Sequence, residues 1–243
     1  MHGNKVFLVL VWTSCYGELR SEGATKQSPP PAAGQKIGIM KDLPAIKAQR
    51  RVEDEKFIGE SQCSGLTLGD FWRWSSSDLV SNATRGVLAE FLVASALGLN
   101  GGVRNEWDAY DLTTETGVKI EVKSAAYVQS WYQRKLSNIV FNISQTRAWD
   151  SGTNLQAKEK KRQADVYVFC LLHHKDKDTI NPMDLSQWTF YVVSTERLEQ
   201  AYPDAKSLSL AKLEQINPKV CDFDGLKQAV QETVNKPPTT AGQ

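Results

Sequence analysis

The stretch YDLTTETGVKIEVKS, residues 110–124, predicts two short strands joined by a tight turn. The turn falls on Glu-Thr-Gly at 115–117, and the VKIEVKS that follows alternates apolar and charged residues. Successive side chains of a strand point to opposite faces, so the apolar and charged residues separate. The apolar face carries Val118, Ile120 and Val122, and the charged face carries Lys119, Glu121 and Lys123. The stretch therefore predicts a hairpin whose second strand has one charged face.

An exposed edge strand would explain a charged face without any function, and for the strand alone this explanation stays open. Other features favour a functional site. Asp111 lies just before the turn, so pairing of the two strands can bring it beside Glu121. Glu90 lies in an apolar helical stretch, where leucine or alanine would pack at lower cost. Several β-rich segments follow, so the hairpin need not form the edge of its sheet.

Clustered carboxylates with a nearby lysine suit one reaction in particular, the metal-assisted hydrolysis of phosphodiesters. Carboxylate oxygens hold a hard divalent cation, which lowers the pKa of a bound water and offsets charge on the transition state. Lys123 would project from the same face as Glu121, where it can orient the attacking water or stabilise developing negative charge. The spacing thus predicts a ligand and a charge stabiliser on one strand, with a second ligand across the hairpin.

The order of these residues resembles the PD-(D/E)XK superfamily of restriction-endonuclease-like nucleases. A helix bearing Glu90 precedes Asp111, which is followed after ten positions by Glu121-Val122-Lys123. The resemblance covers roughly residues 80–172. It implies an α/β fold with an α-β-β-β-α-β core, in which helices flank a mixed central sheet. It also implies cleavage of DNA with Mg²⁺, or with Mn²⁺ as an alternative.

The same resemblance assigns roles to four residues. Asp111, Glu121 and Glu90 would be metal ligands, and Lys123 would be the catalytic lysine. The sequence departs from the family pattern at Tyr110, where a proline would precede the first acid. Asp108 is a rival for that acid, although DLTT fits an acid followed by a strand better than DAYD does.

Composition bounds the kind of protein. Among the 243 residues, 41% are hydrophobic and 23% are charged, as in soluble globular proteins. A net charge of +1 excludes a strongly basic, non-specific polyanion binder, so any DNA-binding surface must be local. From Arg104 to Arg162 there are ten Lys and Arg against seven Asp and Glu. Within that span, SWYQRK (130–135) and TRAWD (146–150) suit phosphate contact or base stacking, although core packing of their tryptophans stays open.

Cysteine and histidine usage favours a reducing compartment, and we expect a cytoplasmic protein. The four cysteines form no CxxC pair, and the three histidines are too few for a histidine metal cluster. The apolar run KVFLVLVW, residues 5–12, is too short to span a bilayer. We interpret residues 1–39 as an upstream or non-native extension before Met40, with an export signal as the alternative. The expected partner is DNA and not a membrane, and a homodimer is left open.

Further elements are predicted on both sides of the hairpin. A helix runs from Asn82 to Leu97, with Ser81 as N-cap and Gly98 as its stop. Its predicted apolar stripe consists of Val87, Leu88, Phe91, Leu92 and Ser95. Strands are expected at 138–144, 164–172 and 187–195, a charged helix with a loop at 145–163, a short helix at 196–202, and a last helix capped by Asp224.

These elements divide the chain into three predicted parts. Residues 1–60 form an N-terminal extension, 61–202 a nuclease-like core, and 203–243 a C-terminal extension with one helix and a tail. The function expected for the core is Mg²⁺-dependent endonucleolytic cleavage of DNA, in bacterial restriction or defence. Two alternatives remain open, a catalytically silent DNA-binding module of the same fold and a structure-selective nuclease of repair or recombination.

Overall fold

The protein is described from a computed structural model, which covers residues 43–59, 65–106, 108–150 and 152–235. Residues Pro44–Gln243 form one compact unit, and it holds every helix and strand described below. The predicted extension at 1–39 and the tail after 235 lie outside the described residues. Within the described ranges, no helix has both the length and the apolar character needed to cross a bilayer.

Among the described residues of this unit, two α-helices come first, seven strands follow, and helices and strands alternate after the seventh strand. The helices are α1 (Leu68–Ser76), α2 (Asn82–Leu97), α3 (Thr195–Ala201), α4 (Leu210–Gln215) and α5 (Leu226–Val234). The strands are β1 (Leu112–Thr113), β2 (Lys119–Ala126), β3 (Val140–Asn142), β4 (Trp149–Asp150), β5 (Leu155–Gln156), β6 (Val166–Leu172), β7 (Trp188–Ser194), β8 (Ser207–Ser209) and β9 (Lys219–Cys221).

The main sheet has five strands in the order β1-β2-β6-β7-β9. The pair β2–β6 is parallel, and the other three pairs are antiparallel. This mixed sheet with helices on its faces confirms the predicted α/β class in its coarse form. β2 pairs with β6 from Ile120 to Ala126 and with β1 only at Lys119 and Ile120, so β2 lies inside the sheet and the short β1 forms its edge.

The helix α2 has the bounds that its sequence predicts. Gly98 ends it in the left-handed region at φ 76°, and the Gly98 N–H donates to the carbonyls of Ala94 and Ser95. Ser81 is the N-cap residue, but its hydroxyl bonds the Thr84 hydroxyl rather than a backbone N–H. The capping position was therefore predicted correctly and the capping bond was not.

The predicted apolar stripe of α2 is wrong in part. Val87 and Phe91 are exposed, whereas Ala89 and Val93 are fully buried together with Leu92. The small Ala89 side chain faces the sheet, which lets the helix backbone approach β2 closely. The buried face of α2 therefore runs through Ala89, Leu92 and Val93 and differs from the face that side-chain hydrophobicity alone predicts.

Two hydrophobic cores lie on opposite faces of the main sheet. One core joins α2 and α5 to the apolar face of β2, where Ile120 and Val122 are buried. The other core includes Phe141 of β3 and Phe169 of β6, whose rings meet edge to face at 4.9 Å between centroids. β6 contributes to both cores and is buried along its whole length, as its continuous apolar run predicts.

The crossover from β2 to β6 differs from the expected core. Residues 145–163 were predicted as helix with loop, but the described part of this segment forms β4 and β5. This segment is polar and has no apolar stripe at helical spacing, so a helix there would have no apolar face to pack against the sheet. β3 pairs with β8 in a separate two-stranded sheet rather than joining the main one. The α-β-β-β-α-β order is therefore not reproduced between β2 and β6 in the residues described.

The segment after residue 202 is part of the fold rather than an appendage with one helix. β9 pairs with β7 at the edge of the main sheet, and α5 buries Leu226 and Val230 in the first core. Asp224 was predicted as the cap of the last helix, but Gly225 takes that position. The Gly225 N–H donates to the Asp222 carboxylate, so the acid that orders this turn lies two residues before the predicted one.

Candidate active site

The hairpin brings Asp111 and Glu121 together. Leu112 pairs with Ile120 in the antiparallel register, so Asp111 before the one and Glu121 after the other come to lie opposite each other. The Asp111 N–H donates to the Ile120 carbonyl at 3.1 Å, and the Asp111 carboxylate accepts the Val122 N–H at 2.6 Å. These bonds fix both the backbone and the side chain of Asp111 at the start of the hairpin.

Asp111 is a carboxyl group that resists ionisation. Its pKa is raised to about 7, chiefly by burial and then by the negative charges of Glu121 and Glu90. The Val122 N–H and the positive charge of Lys123 act in the opposite direction. A carboxyl group held in this way is stabilised in its ionised form by any cation that binds beside it.

Lys123 is paired with Glu121 on the same face of β2. The Lys123 ammonium donates to the Glu121 carboxylate at 2.5 Å, and their side chains are 29% and 18% exposed. Tyr167 and Phe169 of the neighbouring β6 lie opposite them in register. The acid and the lysine therefore lie at the border of the second core, accessible from one side.

Glu90 lies close enough to Asp111 to raise its pKa, yet its own partner is a base. The Arg104 guanidinium donates to both carboxylate oxygens of Glu90, from Nε to Oε2 and from Nη2 to Oε1, the latter at 3.0 Å. The Glu90 side chain is 14% exposed and the Arg104 side chain 39%, so the pair is shielded on the Glu90 side and open to water on the Arg104 side. The base that pairs with Glu90 is thus Arg104, from the loop after α2. Glu90 as a metal ligand stays a prediction.

Arg85 is buried and ties α2 to the strand end just beyond Lys123. Its guanidinium donates to the Ser124 hydroxyl at 3.3 Å and to the Gln129 side-chain oxygen at 3.3 Å. Bonds to the Val80 carbonyl and the Asn82 side chain, both at 2.7 Å, complete its set. Burial lowers the pKa of Arg85 to about 10, so it remains charged at neutral pH.

Asp108, the rival first acid, lies away from Glu121. It is exposed and lines a cavity of about 510 Å³ together with Trp149 and Asp150. The Trp149 indole N–H donates to the Asn154 side chain at 3.1 Å, so this tryptophan is part of a polar rim rather than of a core. The hairpin geometry therefore brings Asp111, not Asp108, beside Glu121.

Two carboxylates on neighbouring strands fit a hard divalent cation. Mg²⁺ is usually held by one or two carboxylates and keeps several waters, so Asp111 and Glu121 would suffice as protein ligands. Across the described residues, no group of three or more His, Cys, Asp and Glu is arranged to hold a metal ion. Asp111 and Glu121 are the two acids that the hairpin brings together, and Glu90 is paired with Arg104.

Sequence reasoning missed two neighbours of the site. Arg104 lies in the loop segment GGVRNE, fourteen residues after Glu90, and no periodic signal links the two. Tyr167 lies within a continuous apolar strand and was interpreted only as core. Burial and then the charge of Glu121 raise the pKa of Tyr167, so its hydroxyl stays protonated beside the acids. Its register opposite Glu121 could be known only from the strand pairing.

Comparison with known families identifies one match. The model of the bacteriophage T4 endonuclease IV family matches residues 71–212, a span that contains Glu90, Asp111, Glu121 and Lys123. No curated protein matches the chain in a sequence search. The match supports a nuclease family, as the resemblance predicted, without singling out the PD-(D/E)XK superfamily. Because it extends over more than half of the chain, this protein belongs to the bacteriophage T4 endonuclease IV family.

Proposed function

We propose that this protein is a metal-dependent endonuclease that hydrolyses phosphodiester bonds of DNA at the Asp111–Glu121 site. The observation that carries the proposal is the hairpin geometry, which brings the half-buried Asp111 carboxylate beside Glu121 and fixes it on the Val122 N–H. The raised pKa of Asp111 accords with this geometry. A protein would gain stability by replacing such a pair with apolar residues, so its presence argues for a ligand that needs it. Family membership supplies the reaction class.

Asp111 and Glu121 would hold the metal, Mg²⁺ or alternatively Mn²⁺. The ion would supply an activated water and offset the charge that develops on the attacked phosphate. Asp111 is oriented for this role by the Val122 N–H, which fixes one of its oxygens at 2.6 Å. Glu121 is held from the other side by Lys123, so both ligands are positioned before any substrate arrives.

Lys123 would act on the substrate rather than on the metal. Its ammonium lies at 2.5 Å from Glu121 in the free protein, within reach of a phosphate next to a metal ion held by that carboxylate. Three N–H donors on a flexible stem allow it to keep Glu121 and still approach a phosphate oxygen. It would thus stabilise the negative charge that grows on that oxygen in the transition state.

The proposal extends to the superfamily and to the biological role. The site residues and their order support a kinship with the PD-(D/E)XK nucleases, even though the crossover between β2 and β6 is built from strands. The biological role we propose is restriction or defence in the cytoplasm, through cutting of foreign DNA. A role in repair or recombination would use the same site, and cleavage of branched over linear DNA would favour it.

The direct test is cleavage of supercoiled plasmid, linear DNA and branched DNA with Mg²⁺, with Mn²⁺ and with EDTA. We expect nicked and linear products with either metal and none with EDTA. Asp111→Asn and Glu121→Gln should each abolish cleavage while circular dichroism shows an unchanged fold. Cleavage that survives EDTA, or that survives loss of either carboxylate, would refute the proposal. Binding of DNA without any cleavage would favour the catalytically silent module.

Lys123→Ala separates chemistry from binding. Loss of one donor to a developing charge typically lowers a rate by about a hundred- to a thousandfold, and we expect a loss of that order in single-turnover cleavage. The affinity for DNA in Ca²⁺ or EDTA should change far less, since the lysine acts mainly in the transition state. Equal losses of rate and affinity would make Lys123 a phosphate contact only.

A further inference from the structure

An open groove of about 690 Å³ lies at one end of the main sheet. It is formed where β2, β6 and β9 begin and where β7 ends, with residues of α3 on its wall. Five basic side chains and two carboxylates line it. The basic ones are Lys119, Lys161, Arg162, Arg197 and Lys219, and the acidic ones are Asp165 and Glu196. Positive charge is thus in excess in this groove, although the whole chain carries a net charge of only +1.

Two of the five basic residues have structural duties. Arg162 is buried, donates to four backbone carbonyls and pairs with Glu199, so it holds the chain segments around it together. Lys219 pairs with Glu232 of α5. Their charges are therefore largely committed within the protein.

The other three basic residues, Lys119, Lys161 and Arg197, have no acidic partner within the described ranges. Lys119 lies over the Tyr110 ring at 5.2 Å, an arrangement that leaves its charge available on the other side. Asp165 accepts the backbone N–H of Lys119, and Glu196 accepts from Gln200, so neither carboxylate is paired with a groove cation. Cations left unpaired around one opening are suited to an anion with more than one charge.

The groove begins on the strand that carries the candidate active site. Lys119 precedes Glu121 by two residues, so both side chains leave the same face of β2. A strand rises about 3.3 Å per residue, which puts these two side chains roughly 7 Å apart along it. A DNA strand cut at the Asp111–Glu121 site would therefore pass directly into the groove.

We propose that this groove binds successive phosphates of the DNA strand on one side of the scissile bond. The proposal rests on the proposed function, since it takes the Asp111–Glu121 site as the place of cleavage. Lys119 is the phosphate contact nearest to the site, and Lys161 and Arg197 hold the backbone farther away. Such contacts read the sugar–phosphate chain and not the bases, so they supply affinity and register without sequence preference.

The test is the salt dependence of DNA binding. Fluorescence anisotropy with a labelled oligonucleotide is measured from 50 to 300 mM NaCl in EDTA, on an Asp111→Asn background that cannot cut. The variant to compare is Lys161→Ala/Arg197→Ala, which leaves Lys119 and its interaction with Tyr110 in place. Lys227→Ala is the matched control, because Lys227 is an exposed lysine on α5 that lines a different cavity. Thermal unfolding of each variant checks that the fold is kept.

Removing one basic side chain that binds a phosphate lowers the slope of log K against log salt by about one, so the double variant should show a slope lower by about two. Its affinity should fall by the same factor for oligonucleotides of unrelated sequence, and Lys227→Ala should match the background. An unchanged slope in the double variant, with a background protein that binds DNA, would overturn the groove and leave the endonuclease proposal intact. Failure of the background protein to bind DNA in EDTA and in Ca²⁺ alike would overturn both.

Discussion

At Asp111, burial and two neighbouring carboxylates oppose ionisation, and this opposition is measurable as a pH dependence of stability. The pKa is about 7 in the folded protein and about 4 in the unfolded chain. Between these values the folded state holds a proton that the unfolded state has released, so the free energy of unfolding falls as pH rises from about 4 to 7.

We therefore expect Asp111→Asn to remove most of this pH dependence in the metal-free protein. The asparagine oxygen can still accept the Val122 N–H, so the bond at 2.6 Å has a replacement. Urea unfolding at pH 4.5 should give similar free energies for both proteins, and at pH 8 the variant should be more stable by on the order of a few kcal/mol. The control is Asp108→Asn, which alters an exposed acid three residues away and should behave like the parent. Equal pH profiles for Asp111→Asn and the parent would contradict the assigned pKa.

The Glu90–Arg104 pair leads to a second prediction at this scale. Because Arg104 already pairs with Glu90, Glu90→Gln should destabilise the metal-free protein by about 0.5–1 kcal/mol, since Arg104 is open to water and solvent weakens the pair. Repulsion among three acids without a base would have the opposite effect, a small gain in stability. Arg104→Gln should also destabilise, and the double variant should lose less than the sum of the two. An additive double variant in urea unfolding would show that the pair contributes no coupling.

At the scale of the element, one glycine inside α2 and one at its C-cap should change the free energy of unfolding with opposite signs when each is replaced by alanine. Gly98 has φ 76°, a conformation that costs an L residue about 1–2 kcal/mol, while a Cβ there would meet nothing within 4 Å. Gly86 lies inside the helix, and a Cβ there would also meet nothing within 4 Å. Neither alanine would meet a steric clash, so the backbone conformation alone determines the sign of each change in stability.

Gly98→Ala should accordingly lower the free energy of unfolding by about 1 kcal/mol, and Gly86→Ala should raise it by about 0.5–1 kcal/mol. Thermal or urea unfolding of the two variants measures both changes, and cleavage should be unaffected since neither glycine contacts the acids. Changes of the same sign would mean that the helix end is not held by its left-handed cap.

At the scale of the whole molecule, divalent metal should stabilise the fold. A ligand that binds only the folded state raises stability by RT ln(1 + [L]/Kd), which is about 2.7 kcal/mol at a hundredfold excess over Kd. We expect Mg²⁺ and Mn²⁺ to raise the melting temperature of the parent in a concentration-dependent manner. Glu121→Gln and Asp111→Asn should lose this response, and Lys227→Ala should keep it. A response retained without either carboxylate would place the metal elsewhere.

The local signals in the sequence were sufficient for the elements that contain them. The bounds of α2 follow from Ser81 and Gly98, whose bonds are made to groups only a few residues away, the Thr84 hydroxyl for Ser81 and the Ala94 and Ser95 carbonyls for Gly98. The alternation in VKIEVKS placed Glu121 and Lys123 on one face of a strand, and a turn at Gly117 with φ 84° let that strand fold back toward Asp111. The candidate site was predictable to this extent because sequence neighbours form it.

Pairings between distant segments were decided only by the tertiary structure. The parallel pairing of β2 with β6, the place of β9 in the main sheet and the bond from Arg104 to Glu90 carry no local signature. Each depends on which surfaces are buried together, and that choice balances packing and desolvation over the whole chain. The segment 145–163 was predicted as helix with loop from its charge pattern, but it has no apolar stripe that could pack against the sheet. Its described backbone groups instead bond within the segment, where β4 pairs with β5 and Thr146 pairs with Lys161.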